Sequence, residues 1–280
     1  MPERLGQSAY GLTFRGLPRL EELSLAPTPA TGPEVTIGVD PDRAHTPAAS
    51  KLDDDGGVAE LADGRVLAVD RQAATATFFG PPLELDMIAH PYLSPVAIAF
   101  SRWSGREVFH AGGFVSAGRA WIVLGPRTAG KSTLLAALAA RGVDVLSDDV
   151  VVTDGAVVFQ GPRCIDLREA PPSSSRHPTH SLHLTRARQD TRLRMTLPDR
   201  ADPVPVGGWL YLQWAPAVAA TRIAARDLLA RLAVGRIARF SPSDPATLLA
   251  LAALPAWDLA RPRDWSALDD VVDLIGATLR

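Results

Sequence analysis

The sequence predicts an α/β fold with a smaller β-rich N-terminal part, and three observations support it. A glycine-rich segment lies between a short apolar run at 119–124 and a pattern with helical spacing. Two adjacent aspartates directly follow the next apolar run, and short strand patterns separated by turns fill the first hundred residues. We place the boundary after residue 104, which gives a β-rich domain over 1–104 and an α/β domain over 105–280.

The N-terminal part shows alternating strand patterns bounded by turn residues. We predict strands at 9–15, 34–39, 57–62 and 65–70, with Asp63 and Gly64 forming a hairpin turn between the last two. Segments 27–33 and 40–57 are rich in proline, alanine, aspartate and glycine and are predicted to be exposed loops. The stretch 83–100 is predicted to pack on both parts.

The glycine-rich segment at 125–132 reads Gly-Pro-Arg-Thr-Ala-Gly-Lys-Ser. Lys131 is one of two lysines among 29 basic residues, so it is not an interchangeable surface charge. Peptide N–H groups at the start of a helix attract phosphate, Lys131 would reach the β- and γ-oxygens, and the Ser132 hydroxyl suits Mg²⁺. We predict a phosphate-binding loop and a helix over 132–141 that ends at Gly142. A glycine-rich turn without ligand is the alternative.

The acid pair Asp148 and Asp149 lies between apolar runs at 143–146 and 150–152. A bend at the end of a strand can turn both carboxylates toward a phosphate site, where one holds Mg²⁺ and the other accepts a proton. A solvated turn is the alternative, because aspartate pairs are common in turns. Asp154 and Gly155 predict a hairpin immediately afterwards.

The region from about 106 to 169 resembles the HPr kinase family, whose cores share a phosphate-binding loop and a strand ending in paired acids with the phosphoenolpyruvate carboxykinases. The likeness is carried by His110 within Val-Phe-His-Ala-Gly-Gly, by the 125–132 loop and by the segment 142–149. A weaker match is Ile-Asp-Leu-Arg-Glu at 165–169, similar to a charged segment in which an acid and an arginine line the active site. Two departures are the absence of a recognisable HPr-binding signature after Glu169, and Thr133 where those enzymes usually have an acid. The resemblance therefore implies the broader HPr kinase-related group, which includes kinases that modify peptides encoded in biosynthetic gene clusters.

This resemblance implies a P-loop kinase core that binds ATP and Mg²⁺ and often assembles into oligomers. We expect Asp149 to accept a hydroxyl proton, Asp148 to hold the metal and His110 to orient one aspartate. The two aspartates could exchange roles, and a purely structural His110 is the alternative. The expected nucleotide-binding residues are Gly125, Thr128, Ala129, Gly130, Lys131, Ser132, Thr133, Arg168 and Arg194. The expected metal ligands are Ser132, Asp148 and Glu169.

The chain after Glu169 begins with a polar segment that predicts a loop beside the site. Its histidines, His177, His180 and His183, suggest a metal, but Pro178 opposes a helix through them, so loop histidines are the default. Four arginines follow at 186, 188, 192 and 194; they predict either a solvated strand or a grip on triphosphate oxygens. A strand at 209–214 and helices at 224–240, 245–254 and 266–279 are predicted for the remainder.

Composition and charge limit the classes of function that are expected for this protein. A net charge of −2 with scattered arginines gives no reason to expect nucleic-acid binding. No apolar run reaches the length of a membrane span, and the N-terminus lacks a signal-peptide pattern, so we expect a cytoplasmic protein. Cys164 is the single cysteine, which excludes an internal disulfide.

Three functions fit these observations. The first is a kinase that uses Mg-ATP to phosphorylate a serine or threonine hydroxyl of a protein or peptide acceptor. The second is a small-molecule kinase, in which the arginines near 186–194 would form a lid, although the β-rich N-terminal part then has no explanation. The third is a regulatory protein that binds ATP without transferring phosphate.

Overall fold

The computed structural model describes residues 6–27, 31–41, 51–169, 186–187 (backbone only), 191–200, 203–238 and 240–279. The described residues form a mixed α/β structure with three β-sheets. None of the helices in these ranges has both the length and the apolar character needed to cross a bilayer. The predicted loop histidines His177, His180 and His183, and Arg188, lie outside the described residues.

The first sheet is built by the N-terminal part of the chain. Its strands are β1 (Gln7–Ala9), β2 (Leu12–Arg15), β3 (Ser24–Leu25), β4 (Glu34–Asp40), β5 (Lys51–Leu52), β6 (Gly56–Glu60), β7 (Val66–Asp70) and β8 (Thr75–Phe79). Their order is β3-β1-β2-β4-β8-β7-β6-β5. The single strand predicted at 9–15 is wrong, because Tyr10 and Gly11 both have positive φ and make a hairpin turn between β1 and β2. The hairpin at Asp63 and Gly64 is confirmed, with Gly64 at φ +82°.

A helical connection leads from the first sheet to the second. It consists of the single turn α1 (Leu85–Met87), an irregular helical segment at 88–92, and α2 (Leu93–Trp103). His90 departs from helical geometry with φ −155° and ψ 126°, and its peptide bond to Pro91 is cis. The buried face of α2, including Val96 and Phe100, packs in one cluster with the first sheet and with Val152 of the following part. The predicted boundary after residue 104 falls at the end of α2 and stays a prediction.

The remaining elements form a second, larger sheet and a small third sheet. In chain order they are β9 (Glu107–Phe109), β10 (Gly112–Ser116), β11 (Arg119–Leu124), α3 (Lys131–Ala140), β12 (Val145–Ser147), β13 (Val151–Thr153), β14 (Val157–Phe159), β15 (Cys164–Leu167), β16 (Arg186–Ala187), β17 (Leu193–Thr196), β18 (Val204–Trp214), β19 (Ala219–Arg222), α4 (Ala225–Gly235), α5 (Pro245–Ala252), β20 (Ala256–Arg261), a 3₁₀ turn (Trp265–Ala267) and α6 (Leu268–Thr278).

The second sheet has the order β12-β10-β11-β18-β14-β13-β9, and β20 and β19 lie beside the carboxyl-terminal part of β18. The pairs β11/β18 and β18/β20 are parallel. The carboxyl ends of these three strands therefore open onto one edge, which is where ligands bind in sheets of this kind.

Helices cover both faces of the second sheet. Along β11, Trp121 and Val123 pack in the cluster that contains α3 and α6. Ile122 and Leu124 point the other way and pack with α4 and α5. This period of two is the signature of a strand buried on both sides.

The predicted elements of this part are confirmed with shifted ends. The helix predicted at 224–240 stops at Gly235, because Arg236 is extended (φ −69°, ψ 130°) and bridges to Phe109. The helix predicted at 245–254 is α5, whose first N–H groups are capped by the Asp244 carboxylate. The strand β20 was not predicted.

Candidate active site

The 125–130 loop joins β11 to α3 with a backbone that depends on glycine. Gly125 and Gly130 have φ values of +151° and +83°, a region that residues with a Cβ rarely adopt. A Cβ on Gly125 would lie 2.8 Å from the Leu212 carbonyl oxygen, and one on Gly130 would lie 2.0 Å from Arg261 Nη2. The loop conformation thus requires the two glycines that the sequence supplies.

The N-terminus of α3 presents backbone donors without a protein cap. The first N–H groups of a helix have no intrahelical partner. The N-cap residue is Gly130, which has no side chain that could accept them, and no side-chain cap is formed. Together with the helix dipole, these donors favour an anion at this position.

Lys131 lies folded over the loop. Its residue is 7% exposed, and Nζ donates to the Gly125 carbonyl oxygen at 3.0 Å and approaches that of Pro126 at 3.4 Å. Burial lowers the pKa of Lys131, while the carboxylates of Asp149 and Asp148 oppose this shift. The ammonium group is therefore held against the loop carbonyl oxygens, where the charges of both acids act on it.

The acid pair follows β12, and a backbone bend separates the two carboxylates. Asp149 has φ +68°, a left-handed conformation that aspartate tolerates better than most residues. Asp148 Oδ1 accepts a hydrogen bond of 3.0 Å from Ser132 Oγ. Burial and the charge of Asp149 raise the pKa of Asp148 to about 6, although the charge of His90 and the bond from Ser132 oppose the shift. The predicted bend at the strand end is confirmed.

His90 links the second aspartate to a further acid. Its Nε2 lies 3.2 Å from Asp149 Oδ2, and its Nδ1 lies 2.8 Å from Asp166 Oδ2. Burial alone would lower the pKa of His90, but the hydrogen bonds to both carboxylates and their charges raise it to about 9. His90 is therefore an imidazolium at neutral pH. His90 was not among the predicted site residues.

Arg194 binds Asp166, the second carboxylate that contacts His90. It binds Asp166 through two parallel hydrogen bonds of 2.8 Å, contacts Glu22 Oε1 at 3.1 Å and donates to the His90 carbonyl oxygen at 2.9 Å. Its side chain is fully buried. The prediction that Arg194 contacts the triphosphate is therefore corrected, since its donors are engaged by protein groups and its role is to fix Asp166 and His90.

His110 contacts Asp149 from the other side. Its Nδ1 lies 3.2 Å from Asp149 Oδ1 and 3.1 Å from the carbonyl oxygen of the same residue. Burial would raise the pKa of Asp149, but hydrogen bonds to His110 and His90, together with their charges, hold it well below its ordinary value. Asp149 is thus fixed as an ionised carboxylate between two imidazoles, with 40% of its side chain exposed.

The structure brings together most of the predicted site residues. The loop residues Gly125, Thr128, Ala129, Gly130, Lys131, Ser132 and Thr133 lie at the start of α3, with Asp148, Asp149 and His110 nearby. Arg168 and Glu169 lie beyond the end of β15 and are exposed. Within the described ranges no hydrogen bond or ion pair joins either of them to the site. Their roles in nucleotide and metal binding stay predictions.

The residues around Ser132 suit Mg²⁺ better than a metal held by protein alone. The described part of the chain contains no group of three His, Cys, Asp or Glu side chains arranged for a metal. Mg²⁺ usually takes one or two protein oxygens and completes its octahedron with water and phosphate oxygens. The hydroxyl of Ser132 and the carboxylate of Asp148, 3.0 Å apart beside the loop, supply such a pair.

Comparisons with known proteins add little. No protein-family model and no curated protein matches the sequence. Among solved structures, the HPr(Ser) kinase/phosphatase from Coxiella burnetii matches at 10% sequence identity with a TM-score of 0.30, over 62% of this chain and 97% of that chain. A similarity at this level suggests a distant structural relationship and says nothing about function.

Replacing His90 with glutamine is expected to remove a pH-dependent contribution to stability. The pKa of His90 is about 9 in the folded protein, above its ordinary value of 6.5. Protonation therefore stabilises the fold fully below about pH 6.5, and this contribution is lost as the pH rises through about 9. Its size is on the order of 3 kcal/mol. Urea unfolding of the parent and of His90→Gln between about pH 6.5 and about pH 10 measures it.

The two proteins should differ most in unfolding free energy at the acid end of this range and converge at the alkaline end, where the parent's His90 is neutral. The convergence serves as an internal control for other effects of the substitution. Curves that run parallel over the whole range would show that His90 is not protonated in the fold.

Proposed function

We propose that this protein is a kinase that transfers the γ-phosphoryl group of ATP to a serine hydroxyl of a protein or peptide. The observation that carries the proposal is the hydrogen bond between Ser132 Oγ and Asp148 Oδ1, which joins the uncapped start of α3 to the acid pair. Phosphoryl transfer needs a cradle for the donor phosphates and carboxylates on the side where the acceptor attacks. Both lie here on adjoining elements.

The donor side consists of the 125–130 loop and the first turn of α3. The free N–H groups would bind the β- and γ-phosphate oxygens, and Lys131 would exchange its contact with the Gly125 carbonyl for those oxygens. Ser132 and Asp148 would hold Mg²⁺, which supplies charge neutralisation between the two phosphates when bound. Because the lysine is already desolvated, little reorganisation is needed to stabilise charge on the transferred group.

The acceptor side is Asp149. Its side chain is 40% exposed, which leaves it open to an acceptor, and the two histidines fix its orientation. In the transfer, the acceptor oxygen bonds to the γ-phosphorus, the bond to the β,γ-bridging oxygen breaks, and ADP leaves with that electron pair. The hydroxyl proton passes to Asp149 and then to water. Because its pKa is low, Asp149 chiefly orients the hydroxyl and takes the proton late in the step.

A second candidate function is ATP binding without transfer. It is favoured by the ion pair between His90 and Asp149, because an imidazolium contact lowers the basicity of the carboxylate. In that case the acids would sense the nucleotide, and no acceptor would be modified.

Transfer of label from [γ-³²P]ATP in the presence of Mg²⁺ to a serine- and threonine-containing peptide library separates the two candidates. The kinase proposal expects labelled phosphoserine with the parent and about a hundredfold slower labelling with Asp149→Asn. ATP binding by calorimetry without any labelled peptide would support the second candidate instead. A parent protein that binds no ATP would remove both.

A further inference from the structure

Trp214 and Arg261 stand beside the 125–130 loop, on the flank away from the acids. They form the last residue pair of the parallel ladder between β18 and β20. Arg261 Nη2 donates to the carbonyl oxygens of Ala129 and Gly130, each at 3.2 Å. A Cβ on Gly130 would lie 3.2 Å from Trp214 Cη2. The indole thus borders the loop at its helix end.

Arg261 fixes the orientation of the indole. Its guanidinium carbon lies 4.3 Å from the centre of the Trp214 ring, and the arginine is only 3% exposed. A buried guanidinium that stacks on an aromatic face covers that face and excludes water from it. Trp214 is nevertheless 37% exposed, so Arg261 leaves part of this residue open to solvent. A large aromatic ring is thus available for contact beside a loop that is suited to phosphate.

The sheet order gives the direction in which a bound nucleotide would run. The strand β11 that leads into the loop has β18 and β20 on one side, and β10 and β12 on the other. The acids follow β12, so the γ-phosphate end points to that side. The ribose and base must then extend toward the carboxyl ends of β18 and β20, where Trp214 lies.

We propose that Trp214, backed by Arg261, is the platform on which the base of the donor nucleotide stacks. The proposal rests on the proposed function, since it assumes that the loop binds a nucleoside triphosphate. Stacking on an aromatic ring depends little on which base is present. The site therefore accepts ATP and GTP with similar affinity, and Arg261 acts as a positioning residue for the ring and the loop.

Calorimetric titration of the full chain with Mg-ATP, Mg-GTP and inorganic tripolyphosphate tests the platform. Trp214→Ala is expected to weaken ATP and GTP binding by about tenfold to a hundredfold, in the range of one base–aromatic stack, and to leave tripolyphosphate binding unchanged. Trp214→Phe keeps a ring at this position and should retain most of the affinity. Trp265→Ala is the matched control, because Trp265 is 36% exposed but lies on the turn before α6, and it should behave like the parent.

Two results would overturn the inference. One is unchanged ATP affinity in Trp214→Ala; the other is an equal loss for ATP and tripolyphosphate, which would mean that Trp214 only supports the loop. A failure of the proposed function looks different, since the parent would then either bind neither ATP nor tripolyphosphate, or bind ATP without labelling any peptide. Thermal unfolding of Trp214→Phe alongside Trp214→Ala separates lost stacking from lost folding.

Discussion

Replacing Lys131 with methionine is expected to lower kcat for phosphoryl transfer by about a thousandfold, which is the loss seen when a fixed donor to transition-state charge is removed. The ammonium donates to the Gly125 carbonyl oxygen of the loop, and the charges of Asp149 and Asp148 act on its pKa. Methionine has a similar length and no charge, so it removes the interaction without a large cavity. Steady-state kinetics of peptide phosphorylation measures the effect.

The other lysine of the chain is the control for this substitution. Lys51 lies at the start of β5, and its side chain is 79% exposed. It is not one of the site residues, so Lys51→Met should retain the parent's activity. Lys131→Arg should not rescue, because the planar guanidinium cannot take the place of a compact ammonium over the loop carbonyls. Activity of Lys131→Met within tenfold of the parent would contradict the phosphate-binding role.

The strand, loop and helix around Lys131 could be predicted because their determinants are local. The apolar run at 119–124 became β11 with the same ends, and the predicted helix start differs from that of α3 by a single residue. Gly125, Gly130 and Asp149 adopt positive φ at the bends, and glycine and aspartate tolerate this conformation better than most residues. No distant contact is needed to read these features from the sequence.

His90 could not be predicted in the same way, since its role comes from residues that are far away in the chain. Its partners Asp149 and Asp166 lie 59 and 76 positions later. The one signal in the sequence is a titratable side chain directly before a proline within the largely apolar stretch at 83–100. That signal indicates an interrupted helix, and only the packing of α2 between the two sheets brings the imidazole to the acids.

Arg194 shows why a cluster of arginines is ambiguous. The strand interpretation of the four arginines is confirmed at β17, but this arginine is buried, and it contacts Glu22 from the turn before β3, 172 positions earlier. The local sequence does not distinguish an arginine that pairs with a buried carboxylate from one that binds phosphate. The N-terminal part thus contributes two groups, Glu22 and His90, that the division into domains did not anticipate.

Replacing Asp149 with asparagine is expected to lower kcat by about a hundredfold, the lower end of the range for proton-transfer catalysis, because Asp149 takes the proton late, while the Kd for Mg-ATP changes by less than about threefold. Asparagine has the same shape and tolerates the left-handed backbone at φ +68°, so the bend after β12 is kept. Alanine would be a poorer choice because it adds backbone strain to the loss of the carboxylate. Single-turnover labelling of the peptide and calorimetry of nucleotide binding measure the two quantities separately.

Two further variants assign the roles within the acid pair. Asp148→Asn removes the carboxylate that contacts Ser132, so it should raise the Mg²⁺ concentration needed for half-maximal activity, whereas Asp149→Asn should leave that requirement unchanged. Asp227→Asn, at an exposed acid in the first turn of α4, is the control for a lost charge. If Asp149→Asn kept its activity while Asp148→Asn lost transfer at saturating Mg²⁺, the two aspartates would have to exchange roles. The pKa of about 6 for Asp148 in the absence of metal would then belong to the proton acceptor.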